Sequence, residues 1–101
     1  MSKKIYTVDE IRKLVFPIAD QYGVERMYLF GSYARGDATP ESDLDFRIDK
    51  GAIKGLIALG GLYSELADVL KKKLDLLTTG SLDENFLKSI ADEEIIIYER
   101  A

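Results

Sequence analysis

Apolar residues recur at helical spacing near the start of the chain, at Val8, Ile11, Leu14, Val15, Ile18 and Tyr22. Thr7 and Glu10 form a capping box at the start of this stripe, in which the side chain of each residue bonds the backbone N–H of the other. Gly23 is a natural helix stop, so the pattern predicts a helix from Val8 to Tyr22. Pro17 falls inside this helix and is expected to kink it or to remove one backbone hydrogen bond.

Four short apolar runs are predicted as strands, at residues 26–30, 43–48, 74–77 and 95–98. Within the second run, Leu44, Phe46 and Ile48 alternate with Asp43, Asp45 and Arg47. Alternate residues of a strand share a face. The three apolar side chains are therefore expected in the core, and both carboxylates are expected to project together from the opposite face.

The remaining segments are predicted to be helices and loops. Residues 53–72 carry an apolar stripe at Leu62, Leu66, Val69 and Leu70. Gly55, Gly60 and Gly61 weaken the first half, so two helical pieces are the alternative to one helix. Ser81 or Asp83 can cap a short helix before the last strand. The order predicts an α/β or α+β fold with helices packed on one small mixed sheet, as a single domain over residues 1–101.

Composition removes several kinds of chemistry. The 101 residues include no Cys and no His, so thiolates and imidazole bases are excluded. The formal net charge of -4 argues against binding to duplex nucleic acid. No stretch approaches the length of a membrane span, which makes the cytoplasm the expected location and a membrane partner unexpected. Any catalysis must use carboxylates, hydroxyls, backbone amides and metal ions.

Three acids are the candidate metal ligands. Asp43 and Asp45 repel each other unless a cation lies between them, and carboxylate oxygens select Mg²⁺ or Mn²⁺. Asp75 lies among apolar residues on a predicted strand, where an unpaired carboxylate is costly. If that strand lies beside residues 43–48, the acids converge and can hold two metals about 4 Å apart.

Gly31 and Ser32 follow a predicted strand and open a turn. Glycine permits close backbone approach, and the Ser hydroxyl and backbone N–H groups can hold an anion. A triphosphate is a ligand that needs both such a loop and a metal clamp. Arg35 either reaches this triphosphate or pairs with Asp37 or Glu41 at the surface.

The spacing resembles the signature of the DNA-polymerase-β-type nucleotidyltransferases: Gly31-Ser32, ten residues, and then Asp43-Leu44-Asp45. The run from Gly31 to Gly36, GSYARG, is similar to that of the smallest members, the minimal nucleotidyltransferases or MNT proteins. Residues 73–78 resemble their third-carboxylate strand and residues 95–99 their last strand. The resemblance spans residues 8–99. Arg47 departs from it, since an apolar residue is usual there, and we expect Arg47 at a sheet edge.

The resemblance implies a polymerase-β-like fold, Mg²⁺, and transfer of AMP from ATP to an acceptor hydroxyl. Asp43 and Asp45 match the family's metal ligands. Asp75 matches the third carboxylate, which also helps to deprotonate the acceptor, and Gly31 and Ser32 match the phosphate binders. Many MNT proteins are antitoxins that pair with a HEPN-type RNase toxin and modify its tyrosine with AMP. A hetero-oligomer with such a toxin is therefore expected.

Two other functions stay open at this point. The domain can neutralise a toxin by occlusion alone, as a binding module whose site is dispensable. It can also modify a small molecule, although few residues are left to build a substrate-binding domain. Taken singly, each motif also has a structural explanation: an N-cap at Gly31-Ser32, a solvated strand face at Asp43 and Asp45, and a loop-capping acid at Asp75.

Overall fold

The structure is a computed structural model that describes residues 4–100. Its helices and strands, in chain order, are α1 (Val8–Tyr22), β1 (Arg26–Phe30), α2 (Ser32–Arg35), β2 (Leu44–Asp49), α3 (Gly55–Leu70), β3 (Leu74–Thr78), a 3-10 turn (Thr79–Ser81), α4 (Glu84–Ile90) and β4 (Ile95–Glu99). The strands form one mixed sheet in the order β3-β2-β1-β4. Strands β2 and β3 run parallel, and the other two pairs are antiparallel. The predicted fold class is confirmed.

Local sequence signals define the first helix. Thr7 Oγ1 accepts a hydrogen bond from the Glu10 N–H at 3.1 Å, and Glu10 Oε1 accepts one from the Thr7 N–H at 2.9 Å. The helix ends at Gly23, whose φ of 72° is left-handed. The predicted bounds and both caps are confirmed, and the helix continues through Pro17.

Helix α3 is one continuous helix rather than two pieces. Of its apolar stripe, Leu62, Leu66 and Leu70 are fully buried and Val69 is partly buried. This burial offsets the low helix propensity of the glycines. Gly61 has a packing role, because a Cβ there would lie 2.9 Å from Tyr22 Oη on α1. The glycine therefore allows α1 and α3 to pack closely.

The core lies between one face of the sheet and helices α1 and α3. Leu44, Phe46 and Ile48 are fully buried there, as the alternation of β2 predicted. On the opposite face, the Phe86 ring of α4 packs edge-on against Phe30, with ring centroids 5.9 Å apart. Asp83 rather than Ser81 caps α4, accepting a hydrogen bond from the Phe86 N–H at 2.7 Å. No helix among residues 4–100 is long and apolar enough to cross a bilayer.

The expectation that Arg47 lies at a sheet edge is wrong. Strand β2 lies between β3 and β1, and Arg47 is 9% exposed. Its guanidinium makes two hydrogen bonds to the Glu94 carboxylate, at 2.6 and 2.9 Å, and lies 3.9 Å from the centre of the Tyr28 ring. A buried charge is tolerated when a partner and hydrogen bonds compensate it. This bidentate pair ties the segment before β4 to the centre of the sheet.

Candidate active site

Two of the predicted acids lie side by side on neighbouring strands. Asp45 of β2 is the register partner of Asp75 of β3. The two strands are therefore neighbours, which is the condition under which the acids were expected to converge. Asp45 is partly buried, whereas Asp75 is exposed, because β3 forms an edge of the sheet. Asp75 is thus not buried among the apolar residues that flank it, and its carboxylate is open to a second molecule.

Asp43 completes the acidic group from just outside the strand. Strand β2 begins at Leu44, one residue later than predicted, and Asp43 is partly exposed at its start. Burial raises the pKa of Asp45 to about 6, and the charge of Asp75, a hydrogen bond with Asp75 and the charge of Asp43 add to the effect. Arg35 opposes it. The three acids thus share one electrostatic environment, in which protonating Asp45 relieves repulsion.

Gly31 brings the backbone against this acidic group. Phe30, the last residue of β1, is the register partner of Asp45, and Gly31 follows it with a φ of 76°. A Cβ at position 31 would overlap Asp45 Oδ2. Both the left-handed backbone and the close approach therefore require glycine. Helix α2 begins at the next residue, Ser32. Residues 31–34, called the glycine loop here, therefore start beside Asp45.

Arg35 pairs with acids of the protein. Its Nε lies 3.2 Å from Asp37 Oδ2, and its Nη1 lies 3.3 Å from Glu93 Oε1. Of the alternatives left open by the sequence, the Asp37 pair is present and a pair with Glu41 is absent from the ion pairs of residues 4–100. Arg35 is half-exposed and directly follows the glycine loop.

Glu93 is the site residue that sequence reasoning missed. Its carboxylate accepts a hydrogen bond from the Gly31 N–H at 2.5 Å, as well as contacting Arg35. Glu93 is 62 residues from Gly31 in sequence, and it stands in a turn before β4 with no motif around it. Only the antiparallel pairing of β4 with β1 brings the two segments together, so no local pattern could have identified it.

The donor set fits a hard divalent cation. Asp43, Asp45 and Asp75 offer only carboxylate oxygens, the ligands that Mg²⁺ and Mn²⁺ prefer, and their mutual repulsion is what a cation would relieve. Within residues 4–100, however, no three acidic side chains are already arranged as a closed metal site. The three acids are therefore neighbours that could hold a metal once their side chains turn toward it.

Comparisons with known proteins identify the family of this chain. The family model described as "Polymerase beta, Nucleotidyltransferase" matches residues 13–101. A Methanocaldococcus jannaschii protein, described as an inferred protein adenylyltransferase, is 36% identical over 88 residues, covering 87% of this chain and 95% of that protein.

Solved structures show the same fold. A structure described as a minimal nucleotidyltransferase superposes with a TM-score of 0.76 at 25% identity, covering 89% of this chain and 95% of that one. The MNT antitoxin from Shewanella oneidensis, in complex with its tri-AMPylated HEPN toxin, is similar with a TM-score of 0.70 at 18% identity; the match covers 93% of this chain and 74% of that one. The latter likeness concerns the fold alone.

The matched residues include the glycine loop, the Asp43 and Asp45 pair, and Asp75. The structure brings Gly31, Asp45 and Asp75 to one end of the sheet. The chain belongs to the polymerase-β-type nucleotidyltransferase family, among its minimal nucleotidyltransferases, and is an enzyme of the class to which protein adenylyltransferases belong.

Proposed function

We propose that this protein transfers AMP from ATP to a tyrosine hydroxyl of a HEPN-type toxin and thereby acts as its antitoxin. The observation that carries the proposal is the meeting of Gly31, Asp45 and Asp75 at one end of the sheet. This arrangement joins an anion-binding loop to a group of carboxylates, which is the combination that nucleotidyl transfer requires.

The glycine loop is proposed to hold the β- and γ-phosphates. The N–H groups at Gly31 and Ser32 and the Ser32 hydroxyl are hydrogen-bond donors, and backbone donors at a helix start favour an anion. Arg35 supplies the cationic side chain that borders the loop. Because a Cβ at position 31 would meet Asp45, the glycine also sets how closely a phosphate can approach the acids.

The acids are proposed to divide their roles by exposure. Asp43 and Asp45, both only partly exposed at the start of β2, would hold Mg²⁺ or Mn²⁺ together with Asp75. The metal supplies charge neutralisation for the phosphates when it is bound. Asp75, exposed on the edge strand, accepts the proton of the incoming hydroxyl. The hydroxyl oxygen forms a bond to the α-phosphorus, and the bond to the β-phosphate bridging oxygen breaks, releasing pyrophosphate.

The partner assignment rests on accessibility and on the relatives. The exposed Asp75 can be approached by a side chain of another protein. The similar Shewanella oneidensis MNT protein is in complex with an AMPylated HEPN toxin. A toxin that docks over this edge would position its tyrosine, and positioning can contribute roughly 7–11 kcal/mol to lowering a barrier. A cytoplasmic setting, where ATP is available, is part of the proposal.

The test is mass spectrometry of a HEPN-type toxin incubated with this protein, ATP and Mg²⁺. We expect a mass gain of one or more AMP groups, located on tyrosine, and loss of the toxin's RNase activity. A toxin that is bound and silenced without any gain in mass would instead favour neutralisation by occlusion. A toxin that is neither bound nor modified would contradict both the enzymatic and the partner assignment.

A further inference from the structure

Glu93 places a negative charge where the proposed nucleotide phosphates would bind. Its side chain is 22% exposed and contacts Gly31 N–H at 2.5 Å and Arg35 Nη1 at 3.3 and 3.4 Å. Within residues 4–100, these are the hydrogen-bond and ion-pair partners found for its carboxylate. The two donors that Glu93 engages are therefore donors of the glycine loop and its bordering arginine.

We propose that Glu93 is an internal anion that mimics a nucleotide phosphate, and that ATP must displace it from Gly31 and Arg35. The inference rests on the proposed function, since it assumes that a triphosphate binds at the glycine loop. A carboxylate and a phosphate oxygen cannot both accept the single Gly31 N–H at normal hydrogen-bond distance. Their like charges also repel at the short separation this loop imposes.

The surrounding structure allows Glu93 to leave without unfolding anything. Glu93 lies in a turn, after α4 has ended at Ile90 and before β4 begins at Ile95. Its neighbour Glu94 is held by two hydrogen bonds to the buried Arg47, at 2.6 and 2.9 Å. The backbone of this segment is thus anchored by Glu94, and rotation of the Glu93 side chain is enough to free the glycine loop.

This arrangement makes Glu93 an affinity-determining residue. With Glu93 in place, the positive groups of the glycine loop are neutralised while no nucleotide is bound. An anion that makes few contacts gains little binding free energy by replacing the Glu93 carboxylate, which is already positioned at Gly31 and Arg35. A metal-bound triphosphate makes more contacts than the carboxylate does and can replace it. Removing the charge at position 93 should therefore tighten nucleotide binding rather than weaken it.

Calorimetric titration of the metal-loaded protein with Mg²⁺-ATP tests the inference. We expect Glu93→Gln to bind at least about tenfold more tightly than wild type, because the nucleotide then no longer displaces a charged acceptor from Gly31 and Arg35. Asp37→Asn is the matched control, since it removes the same charge beside Arg35 without touching Gly31. Asp37 is more exposed, so we expect its variant to differ from wild type by less than about threefold.

Binding by Glu93→Gln that is equal to or weaker than wild-type binding would overturn the inference and make Glu93 a residue that holds the loop in place. If the wild-type protein still adds AMP to its toxin, that result overturns only the role of Glu93, and the proposed function stands. If no form binds Mg²⁺-ATP and none transfers AMP, the proposed function and this inference both fail.

A second measurement uses the wild-type protein alone and does not depend on how the variant folds. In NMR spectra, saturating Mg²⁺-ATP should shift the Gly31 amide proton and the Glu93 side-chain carboxyl carbon together. The Glu94 carboxyl carbon, which pairs with Arg47 rather than with Arg35, serves as the internal reference. A Glu93 carboxyl resonance that stays unchanged while nucleotide saturates the site would overturn the displacement.

Discussion

Asp45 and Asp75 lie directly opposite each other in the parallel pair of β2 and β3. One carboxylate is partly buried and its partner is exposed at the sheet edge. Burial and the neighbouring Asp75 raise the pKa of Asp45 to about 6. The protein thus holds like charges together at a cost that a cation would remove, which is expected of a site built for function rather than for stability.

The raised pKa of Asp45 predicts a pH-dependent stability in the absence of metal. Between about pH 4 and pH 6 the folded protein binds more protons at Asp45 than the unfolded chain does. The free energy of unfolding should therefore fall as the pH rises through this window, by about 1–2 kcal/mol from this group after allowance for its partial exposure. Denaturant unfolding in EDTA at several pH values measures it.

Asp45→Asn is the reference for that experiment, because it lacks the titration and keeps the shape. The difference in unfolding free energy between wild type and variant isolates the contribution of Asp45 from those of other carboxylates. Glu10 is one of these: Lys4 lowers its pKa, so its contribution changes with pH in the opposite direction. The variant should be more stable than wild type above pH 6. A variant that is less stable there would contradict the repulsion inferred at this site.

Gly31→Ala should reduce both stability and activity. The substitution forces a left-handed backbone on alanine and pushes Asp45 out of position, at a cost of about 2–4 kcal/mol. Gly36→Ala is the matched control, because Gly36 is also left-handed, with a φ of 87°, but its Cβ would meet nothing within 4 Å. Thermal melts and AMP-transfer rates should show the larger loss for Gly31→Ala. Equal losses would mean that the contact with Asp45 is unimportant.

Asp75→Asn should lower AMP transfer strongly and leave toxin binding almost unchanged. Asp75 is proposed to accept the acceptor proton, a role that typically contributes about 10²–10⁴-fold to the rate. Asp68→Asn on α3, also exposed, is a control that should retain full activity. Single-turnover assays and affinity measurements with the toxin separate the two effects. Loss of binding equal to the loss of transfer would instead assign Asp75 to docking.

Glu94→Gln should destabilise the fold by about 2–4 kcal/mol, since it removes the closer of the two carboxylates that pair with the buried guanidinium of Arg47. Glu94 lies 2.6 Å from Arg47, whereas Asp49 lies 3.7 Å away. Glu99→Gln is the matched control, because it makes the same substitution in an exposed ion pair. Glu99 pairs with Arg26 at the surface, where an ion pair contributes less than about 1 kcal/mol. Denaturant unfolding of both variants compares them, and similar losses would show that burial of the Arg47 pair adds nothing.

Features with a local cause could be predicted from the sequence. The capping box of Thr7 and Glu10 and the alternation of β2 depend on neighbouring residues, and both occur as expected. The burial of Arg47 and the contact of Glu93 with Gly31 could not be predicted. They depend on strand order and on which segment crosses the open face of the sheet, and neither is encoded within a window of a few residues.

The exposure of Asp75 has the same origin. Its apolar neighbours Leu74 and Leu76 suggested a buried strand, but β3 forms an edge and its outward side is open. The continuity of α3 was also undecided by the sequence. Glycine propensity argued for a break, whereas the long-range burial of Leu62 and Leu66 stabilises a single helix.

The most direct test of the account is mass spectrometry of toxin incubated with ATP and either wild-type protein or its Asp43→Asn and Asp45→Asn variants. With Mg²⁺ or Mn²⁺, wild type should add AMP, and in EDTA it should add none. Both variants should fold and bind toxin but transfer at least about a hundredfold more slowly, because loss of metal binding removes several kcal/mol of charge stabilisation. Full transfer by either variant, or by wild type in EDTA, would contradict the proposed acidic, metal-binding site.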